Sequence, residues 1–427
     1  MDLKLSGSGK LRGEVSVPPD KSISHRAAII GALARGRTRA WPFLQSLDCL
    51  STLSCLRSLG VELELEGDTL EIWGRGPEVW HEPADVMDAG NSATTMRLIS
   101  GALAGRPFLS VLTGDESLRS RPMSRIVDPL RSMGAVVLAR ESGTRPPLAI
   151  LGGDLQGREI ELEVESAQVK SALLIAGLQA DGETRIIGGR SSRDHTERMM
   201  ILMGADISME GERATTIRRS ILEGTDLDIP GDLSSASFLA AAAAMIPGSR
   251  LTIKKVGLNP TRAGLISALN SMGALVMESN YQERSNEPRG GLEIGSGKLT
   301  GIEVEGWMTP ALIDEIPLLA VAGCLAEGTT IVSGAGELRV KESDRISTIC
   351  GELNRMGGAL RETADGFTVE GPCKLKGTRV YSHGDHRIAM SLAVAALCAE
   401  GETTIAGWEC VEISFPGFEE TLRRLAG

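Results

Sequence analysis

Leu56–Leu65, LRSLGVELEL, closes one element and opens another. Leu56 and Leu59 stand three apart, the spacing of one helix face, whereas Val61, Leu63 and Leu65 alternate with Glu62 and Glu64, the period of a half-buried strand. Gly60 lies between them, where a left-handed C-cap is expected. The signature returns as LRSMGAVVL from Leu130, MILMGADISM from Met200, LNSMGALVM from Leu269, LNRMGGAL from Leu353 and, shortened, LRRLAG from Leu422. Gly60, Gly134, Gly204, Gly273 and Gly357 are about 70 to 84 residues apart, too far for a solenoid repeat and right for a small α/β unit.

A second signature keeps step with the first: an Ala-rich helix, a glycine, then a β-branched strand. It reads ALARGRTRAW around Gly36, ALAGRPFLSV around Gly105, LQADGETRIIG around Gly182, AAMIPGSRLTI around Gly248, CLAEGTTIVSG around Gly328 and CAEGETTIAGW around Gly401. Six units of helix, strand, helix and strand therefore fill the chain and group as three plus three. Pro18-Pro19 and Pro230-Gly231 are the natural crossing points, because proline stops a helix and extends the residue before it. The expected domains are residues 20–229, inserted, and residues 1–19 with 230–427.

The 427 residues suffice for two or three domains, and the 42% hydrophobic content with few aromatics means a core of Ala, Leu, Ile, Val and Met. A formal charge of −11 argues against nucleic acid or an anionic membrane as main partner. Seven cysteines, without a C-x-x-C pair, suit reduced thiols rather than a zinc site or disulfides. No stretch approaches a membrane span, so the expectation is a soluble, cytoplasmic protein.

Against that acidic background, basic and hydroxyl residues gather where helices begin. In PPDKSISHR, Asp20 can cap a helix through Ile23, Ala27 and Ile30, placing Lys21 and Ser22 in its first turn and Ser22 and Arg26 on one face. Alone, the stretch fits a capped surface helix equally well. DAGNSATTMR from Asp88 offers Asn91, Thr94 and Thr95 around the small Gly90, Ser92 and Ala93; SLRSRPM from Ser117 brings Arg119 and Arg121. SAQVKS and SSRDHTERM aim Ser166, Gln168 and Arg193 at a ligand, with His195 the weaker candidate. PGDLSSASF repeats the cap at the second crossing, Asp314 and Glu315 precede an apolar helix, RVKESDRI packs Lys341, Glu342 and Arg345 together, and HGDHRIAM sets His386 and Arg387 at another start. If RVKESDRI is helical, Lys341 and Arg345 share a face. Several termini converging on one polyanionic ligand explain this distribution. There is no P-loop, no dinucleotide fingerprint and no metal-ligand cluster, so no metal or other cofactor is expected.

Taken jointly and in this order, the motifs PPDKSISHR, GNSATTMR, SLRSRPM, SAQVKS, PGDLSSASF, RVKESDR and DHRIAM resemble the 5-enolpyruvylshikimate-3-phosphate synthase family over essentially the whole chain. The resemblance implies the enolpyruvyl transferase fold: a two-domain inside-out α/β barrel of six βαβαββ-type repeats, closing on substrate at a hinge. It implies transfer of the carboxyvinyl group of phosphoenolpyruvate to shikimate 3-phosphate, in the shikimate pathway to chorismate and the aromatic amino acids, by a monomer with only small-molecule partners. By the same resemblance Lys21, Ser22, Arg26, Ser166, Ala167, Gln168, Arg193, Asp314 and Lys341 bind shikimate 3-phosphate. Lys21, Asn91, Ala93, Arg121, Gln168, Glu342, Arg345 and Arg387 bind phosphoenolpyruvate. Asp314, Glu342 and Lys21 carry the proton transfers.

Three departures stand out. Ala93 in N-S-A-T replaces the glycine of the plant and enteric types, as in the glyphosate-tolerant class. Ile413 stands where those types carry a lysine shortly before T-F-P, and Pro19 where the family usually has glycine. The sister transferase acting on UDP-N-acetylglucosamine, the first alternative, uses a loop cysteine before R-P, and Glu116–Arg121 contains none. A non-catalytic phosphosugar-binding protein, the second alternative, has no need of Asp314, Lys341 and Glu342 together.

Overall fold

The computed structural model describes residues 1–7, 9–211 and 213–426. Gly427, the last residue of the shortened signature, lies outside them. The chain divides into two compact units, one of residues 1–18, 230–283 and 288–427, the other of residues 19–229 with 284–287. Each has its own hydrophobic core.

Residues 87–151 display the repeating unit. Strand Met87–Asp88 leads into helix Ala93–Leu103, strand Leu109–Thr113, helix Ser124–Ser132 and the antiparallel pair Val136–Ala139 and Arg145–Leu151. Met87 pairs in parallel with Leu112, while Leu109 and Val136 both face Leu151 in antiparallel register. This is βαβαββ. The same parallel-then-antiparallel order recurs in five four-stranded sheets, and a sixth sheet has three strands because Asp2–Ser6 pairs with Glu402–Ala406 in place of a hairpin. In the inserted unit the edge strand of the first sheet, Asp226–Asp228, comes from the unit's far end and pairs in parallel with Arg39–Trp41.

The two helices of a repeat have different surroundings, and composition explains which is which. Lys21–Leu33, Ala93–Leu103, Ala167–Gly177, Leu233–Met245, Ile316–Leu325 and His386–Leu397 are apolar nearly all round and enclosed by sheets and other helices. Leu233–Met245 and His386–Leu397 are buried at every residue. Their small residues permit close approach: a Cβ on Gly101 would collide with the Ala172 carbonyl of the neighbouring helix. The second helices, such as Ser124–Ser132 with Ile126, Val127 and Leu130 inward, bury one face only. All five described glycines of the first signature have positive φ, from +82° at Gly60 to +116° at Gly134, Gly273 being the C-cap of its second helix and the others following the C-cap of theirs.

Among the described residues no helix is long and apolar enough to cross a membrane, and no group of three or more His, Cys, Asp or Glu side chains could hold a metal ion. All seven cysteines are free thiols, and burial pushes Cys49 and Cys55 up to about 12. Ile413 ends a short 3-10 segment, Trp408–Ile413, and is partly buried against the apolar core; nearby, the Phe418 ring centroid lies 5.0 Å from that of Phe415 and 6.1 Å from that of Trp408.

Candidate active site

A buried helix leaves its first N–H groups without intrahelical partners, so each needs a cap. In the inserted unit the caps are Asp20, Ser92 and Ser166; in the other unit Asp232 and Asp385 cap by side chain, and Glu315 stands at the N-cap position of Ile316–Leu325. Most of the candidate residues lie at five of these starts; Lys341, Glu342 and Arg345 lie at the start of helix Arg345–Arg355, Arg193 just before helix His195–Leu202 and Arg121 just after helix Glu116–Arg119.

In the inserted unit, Asp20 accepts from the Ile23 amide at 2.9 Å and so starts the helix at Lys21. Lys21 Nζ lies 3.2 Å from Asp48 Oδ2, both side chains being mostly buried. Ser22 Oγ accepts from Arg193 at 3.3 Å, which brings Ser22 and Arg193 together from opposite ends of the unit's sequence. Arg26 is only 2% exposed and donates to the Ser22 carbonyl at 2.9 Å, Thr196 Oγ1 at 2.7 Å and Ser171 Oγ at 2.8 Å. Its guanidinium thus knits three helices.

Asn91 links two loops: its amide donates to Asp115 at 2.6 Å, and its oxygen accepts from Arg121 at 2.7 Å. Ala93 is the first residue of its helix, with Ser92 as cap. Gln168 is held at both ends, accepting from Arg97 at 2.5 Å and donating to Thr94 at 2.8 Å. Ser166 Oγ caps through the Val169 amide, and Ala167 begins the helix. The loop carrying Arg193 is braced by Lys170, wholly buried, which donates to the Gly189 carbonyl and pairs with Glu197 at 2.8 Å. His195 meets Glu287 at 2.7 Å, and Arg119 donates to the Gly114 carbonyl, so both serve local structure.

The other unit gathers charges more tightly. Arg345 lies 2.7 Å from Asp385, 3.2 Å from Asp314 and 2.5 Å from Glu342. Burial works against its charge, yet Asp385, Glu342 and Asp314 outweigh that and raise its pKa above the ordinary guanidinium value. Arg387 reaches the other Asp314 oxygen at 3.4 Å and Glu315 at 3.2 Å. Asp314 therefore bridges two arginines. Behind it, Glu315 accepts from Ser234, and Ser234 also accepts from Arg262 at 2.5 Å, which ties in the cap Asp232.

RVKESDRI is not one helix. Arg339 and Val340 end a 3-10 turn, Lys341 is extended, and the helix begins at Arg345 with Asp344 as cap. Asp344 accepts from the Ser347 amide, and that capping bond forces the break. Lys341 and Arg345 do not share a helical face, although Glu342 still reaches Arg345. Arg339 is committed to Asp344 and Glu362.

Several positioning groups escaped the sequence reading. Arg97 lies 71 residues before its partner Gln168, and Lys170 and Glu197 are likewise far apart in the chain. Asp385 was legible in principle, since an acid directly before His386 and Arg387 at a helix start is a cap.

The family model of "EPSP synthase (3-phosphoshikimate 1-carboxyvinyltransferase)" matches residues 5–422. A protein of Desulforudis audaxviator described as "3-phosphoshikimate 1-carboxyvinyltransferase" is 50% identical over 426 residues, covering 100% of this chain and 99% of its own. One of the same description from Syntrophomonas wolfei is 52% identical over 416 residues, 97% of each. A solved structure of EPSP synthase from Acinetobacter baumannii matches with a TM-score of 0.88 at 42% identity, covering 99% of this chain and 98% of that one. The enolpyruvyl transferase NikO of Streptomyces tendae shares the fold, with a TM-score of 0.79 at 18% identity. With six βαβαββ repeats and this whole-length match, the chain belongs to the EPSP synthase (3-phosphoshikimate 1-carboxyvinyltransferase) family.

Proposed function

We propose that the chain transfers the carboxyvinyl group of phosphoenolpyruvate to the 5-hydroxyl of shikimate 3-phosphate and releases phosphate. The observation that carries this reading is the cluster in which Asp314 bridges Arg345 and Arg387, with Glu342 on the same guanidinium. Two guanidiniums fixed by carboxylates form a preorganised receptor for the carboxylate and phosphate of phosphoenolpyruvate, and the carboxylates beside them are placed for proton transfer.

In the first step the methylene carbon of phosphoenolpyruvate takes a proton from Glu342 or Lys21. Asp314 takes the proton of the 5-hydroxyl as its oxygen bonds to the adjacent carbon, giving a tetrahedral intermediate. In the second step the carbon–oxygen bond to phosphate breaks, the methyl group returns a proton and the vinyl group re-forms. Ser22, Arg26, Ser166, Ala167, Gln168, Arg193 and Lys341 hold shikimate 3-phosphate, and Lys21, Asn91, Ala93, Arg121 and Gln168 assist with phosphoenolpyruvate. Arg26 acts from beneath, through the Ser22 carbonyl to which it donates.

Phosphate release from phosphoenolpyruvate tests the assignment. Acceleration by shikimate 3-phosphate is expected; no acceleration, or acceleration by UDP-N-acetylglucosamine instead, overturns it. The protein acts as a cytoplasmic monomer, which light scattering of the purified protein checks for the oligomeric state.

The same reading extends to glyphosate. The Ala93 methyl stands at the first helical position beside Asn91, and glyphosate, longer than phosphoenolpyruvate, is crowded there. Ala93→Gly is expected to lower the glyphosate inhibition constant while leaving the KM for phosphoenolpyruvate nearly unchanged. Equal inhibition constants for the two proteins refute insensitivity through Ala93.

A further inference from the structure

His25 has no place in the chemistry above, yet it is 1% exposed in the helix that begins with Lys21. Its Nδ1 lies 2.7 Å from Thr52 Oγ1, Thr52 Oγ1 lies 2.7 Å from Thr95 Oγ1, and Thr95 Oγ1 lies 2.7 Å from Ser92 Oγ. Three helices of the inserted unit contribute to this chain of groups, which ends at the cap between Asn91 and Ala93. At the other end, His25 Nε2 is buried and meets no hydrogen-bond partner among the described residues.

Each hydroxyl has one proton to give, and the 2.7 Å contacts along the chain outcompete the Asp48 carbonyl, 3.4 Å from both Thr52 Oγ1 and Thr95 Oγ1, so the chain has a direction. With the proton on Nε2, Nδ1 accepts from Thr52, Thr52 from Thr95 and Thr95 from Ser92; a buried N–H is then left unpaired. With the proton on Nδ1, every donor runs the other way and only an acceptor is unpaired, the better tolerated defect. Burial first, then the charges of Lys21 and Arg26, push the His25 pKa well below its ordinary value, so the ring is neutral and one tautomer must be chosen. In the favoured direction Ser92 Oγ accepts from both the Thr95 hydroxyl and the Thr95 amide at 3.1 Å. Both its lone pairs are then used, and its own proton is released from the chain.

We propose that His25, held as the Nδ1–H tautomer, acts through Thr52 and Thr95 as a positioning residue that turns the Ser92 hydroxyl into an additional hydrogen-bond donor to the phosphoenolpyruvate anion. This rests on the assignment of phosphoenolpyruvate to the Asn91–Ala93 turn. Ser92 is the binding residue; His25, Thr52 and Thr95 set its direction.

Two measurements test it. Nitrogen-15 spectra of the histidine-labelled protein read the tautomer directly and need no substrate; a protonated Nδ1 is expected, and a protonated Nε2 on His25 overturns the proposal. Steady-state kinetics of Thr95→Val are expected to show a KM for phosphoenolpyruvate raised about tenfold with kcat changed less than about twofold, the loss of one hydrogen bond to an anion. Thr95→Ser, which keeps the hydroxyl, restores the KM, as does His25→Asn, whose amide can donate from nearly the Nδ1 position, whereas His25→Leu does not. Equal KM values for Thr95→Val and Thr95→Ser overturn the proposal. A wild-type protein that releases no phosphate with either acceptor refutes the assigned reaction and leaves the tautomer result to be judged alone.

Discussion

Arg26, in the second turn of its helix, and Arg345, the first residue of its own, are both buried, one in each unit, and their charges are met in different ways. Arg26 donates to a carbonyl and two hydroxyls, whereas Arg345 faces Asp314, Glu342 and Asp385. The contrast extends to the neighbouring arginines: in the inserted unit Arg121, Arg97 and Arg193 donate to the neutral side chains of Asn91, Gln168 and Ser22, while in the other unit carboxylates hold Arg345 and Arg387. Neutral partners fix geometry without consuming charge, which suits recognition of an acceptor. Carboxylates beside arginines fix geometry and set proton-accepting oxygens next to the guanidiniums, which suits chemistry.

The largest effect should come from deleting the better-neutralised arginine. Arg345→Met leaves three carboxylates facing one another, and removing one partner of a buried ion cluster costs about 3–5 kcal/mol. Arg26→Met removes three hydrogen bonds to neutral groups, of which Ser171 and Thr196 keep their bond to each other at 2.6 Å, at a cost of about 1–3 kcal/mol. Urea denaturation of both variants checks this, and equal midpoint shifts break the contrast.

Catalysis provides the next separation. Asp314→Asn keeps the shape of the bridge but cannot take a proton, so kcat should fall about a hundredfold or more. Gln168→Ala, in the neutral cluster, should raise a KM about tenfold through one lost hydrogen bond, with little change in kcat. If Gln168→Ala lowers kcat as far as Asp314→Asn does, the division of labour between the units is wrong.

How far the residue order alone carries this division can be judged from particular positions. The repeat was legible because Gly60, Gly134, Gly204, Gly273 and Gly357 punctuate a change of period, and the caps Asp20, Ser166 and Asp232 because a polar residue before an apolar run has one economical use. Asp314 stood out as an acid before a helix, but its bridging of Arg345 and Arg387 depends on three helix starts meeting in space, which no local pattern encodes. Lys341 misled for a related reason: helical spacing from Arg339 to Arg345 looks continuous until Asp344 caps the later helix. No sequence pattern assigns His25 a role; only the packing of Thr52 and Thr95 does so.

Acid should distinguish the clusters again, on a smaller scale. His25 is held below its ordinary pKa of 6.5 by burial and by Lys21 and Arg26. Above pH 6.5 the ring is neutral whether the chain is folded or unfolded, so it adds no pH dependence. Below that value the unfolded chain takes up a proton that the folded chain refuses, and stability falls with a slope approaching about 1.4 kcal/mol per pH unit until the lowered pKa is reached. His25→Asn should remove that slope, as read from unfolding free energies between pH 7.5 and 5. An identical slope in both proteins shows that acid acts elsewhere.

The smallest effect concerns what the two units share. Gly182 and Gly328 occupy matching places in the second signature, with φ of +82° and +91°, and a Cβ on either would meet nothing within 4 Å. Alanine there adds no clash, only the strain of a left-handed L-residue and the lost freedom of the unfolded glycine, which oppose each other and leave a net cost of about 1 kcal/mol. Gly182→Ala and Gly328→Ala should therefore shift the urea midpoint by equal amounts. Equality means that one scaffold serves both units and that their difference lies in the side chains at the helix starts. A cost at Gly328 well above that at Gly182 would mean that the unit holding the ion cluster is also strained in its backbone, so that its chemistry rests on more than charge placement.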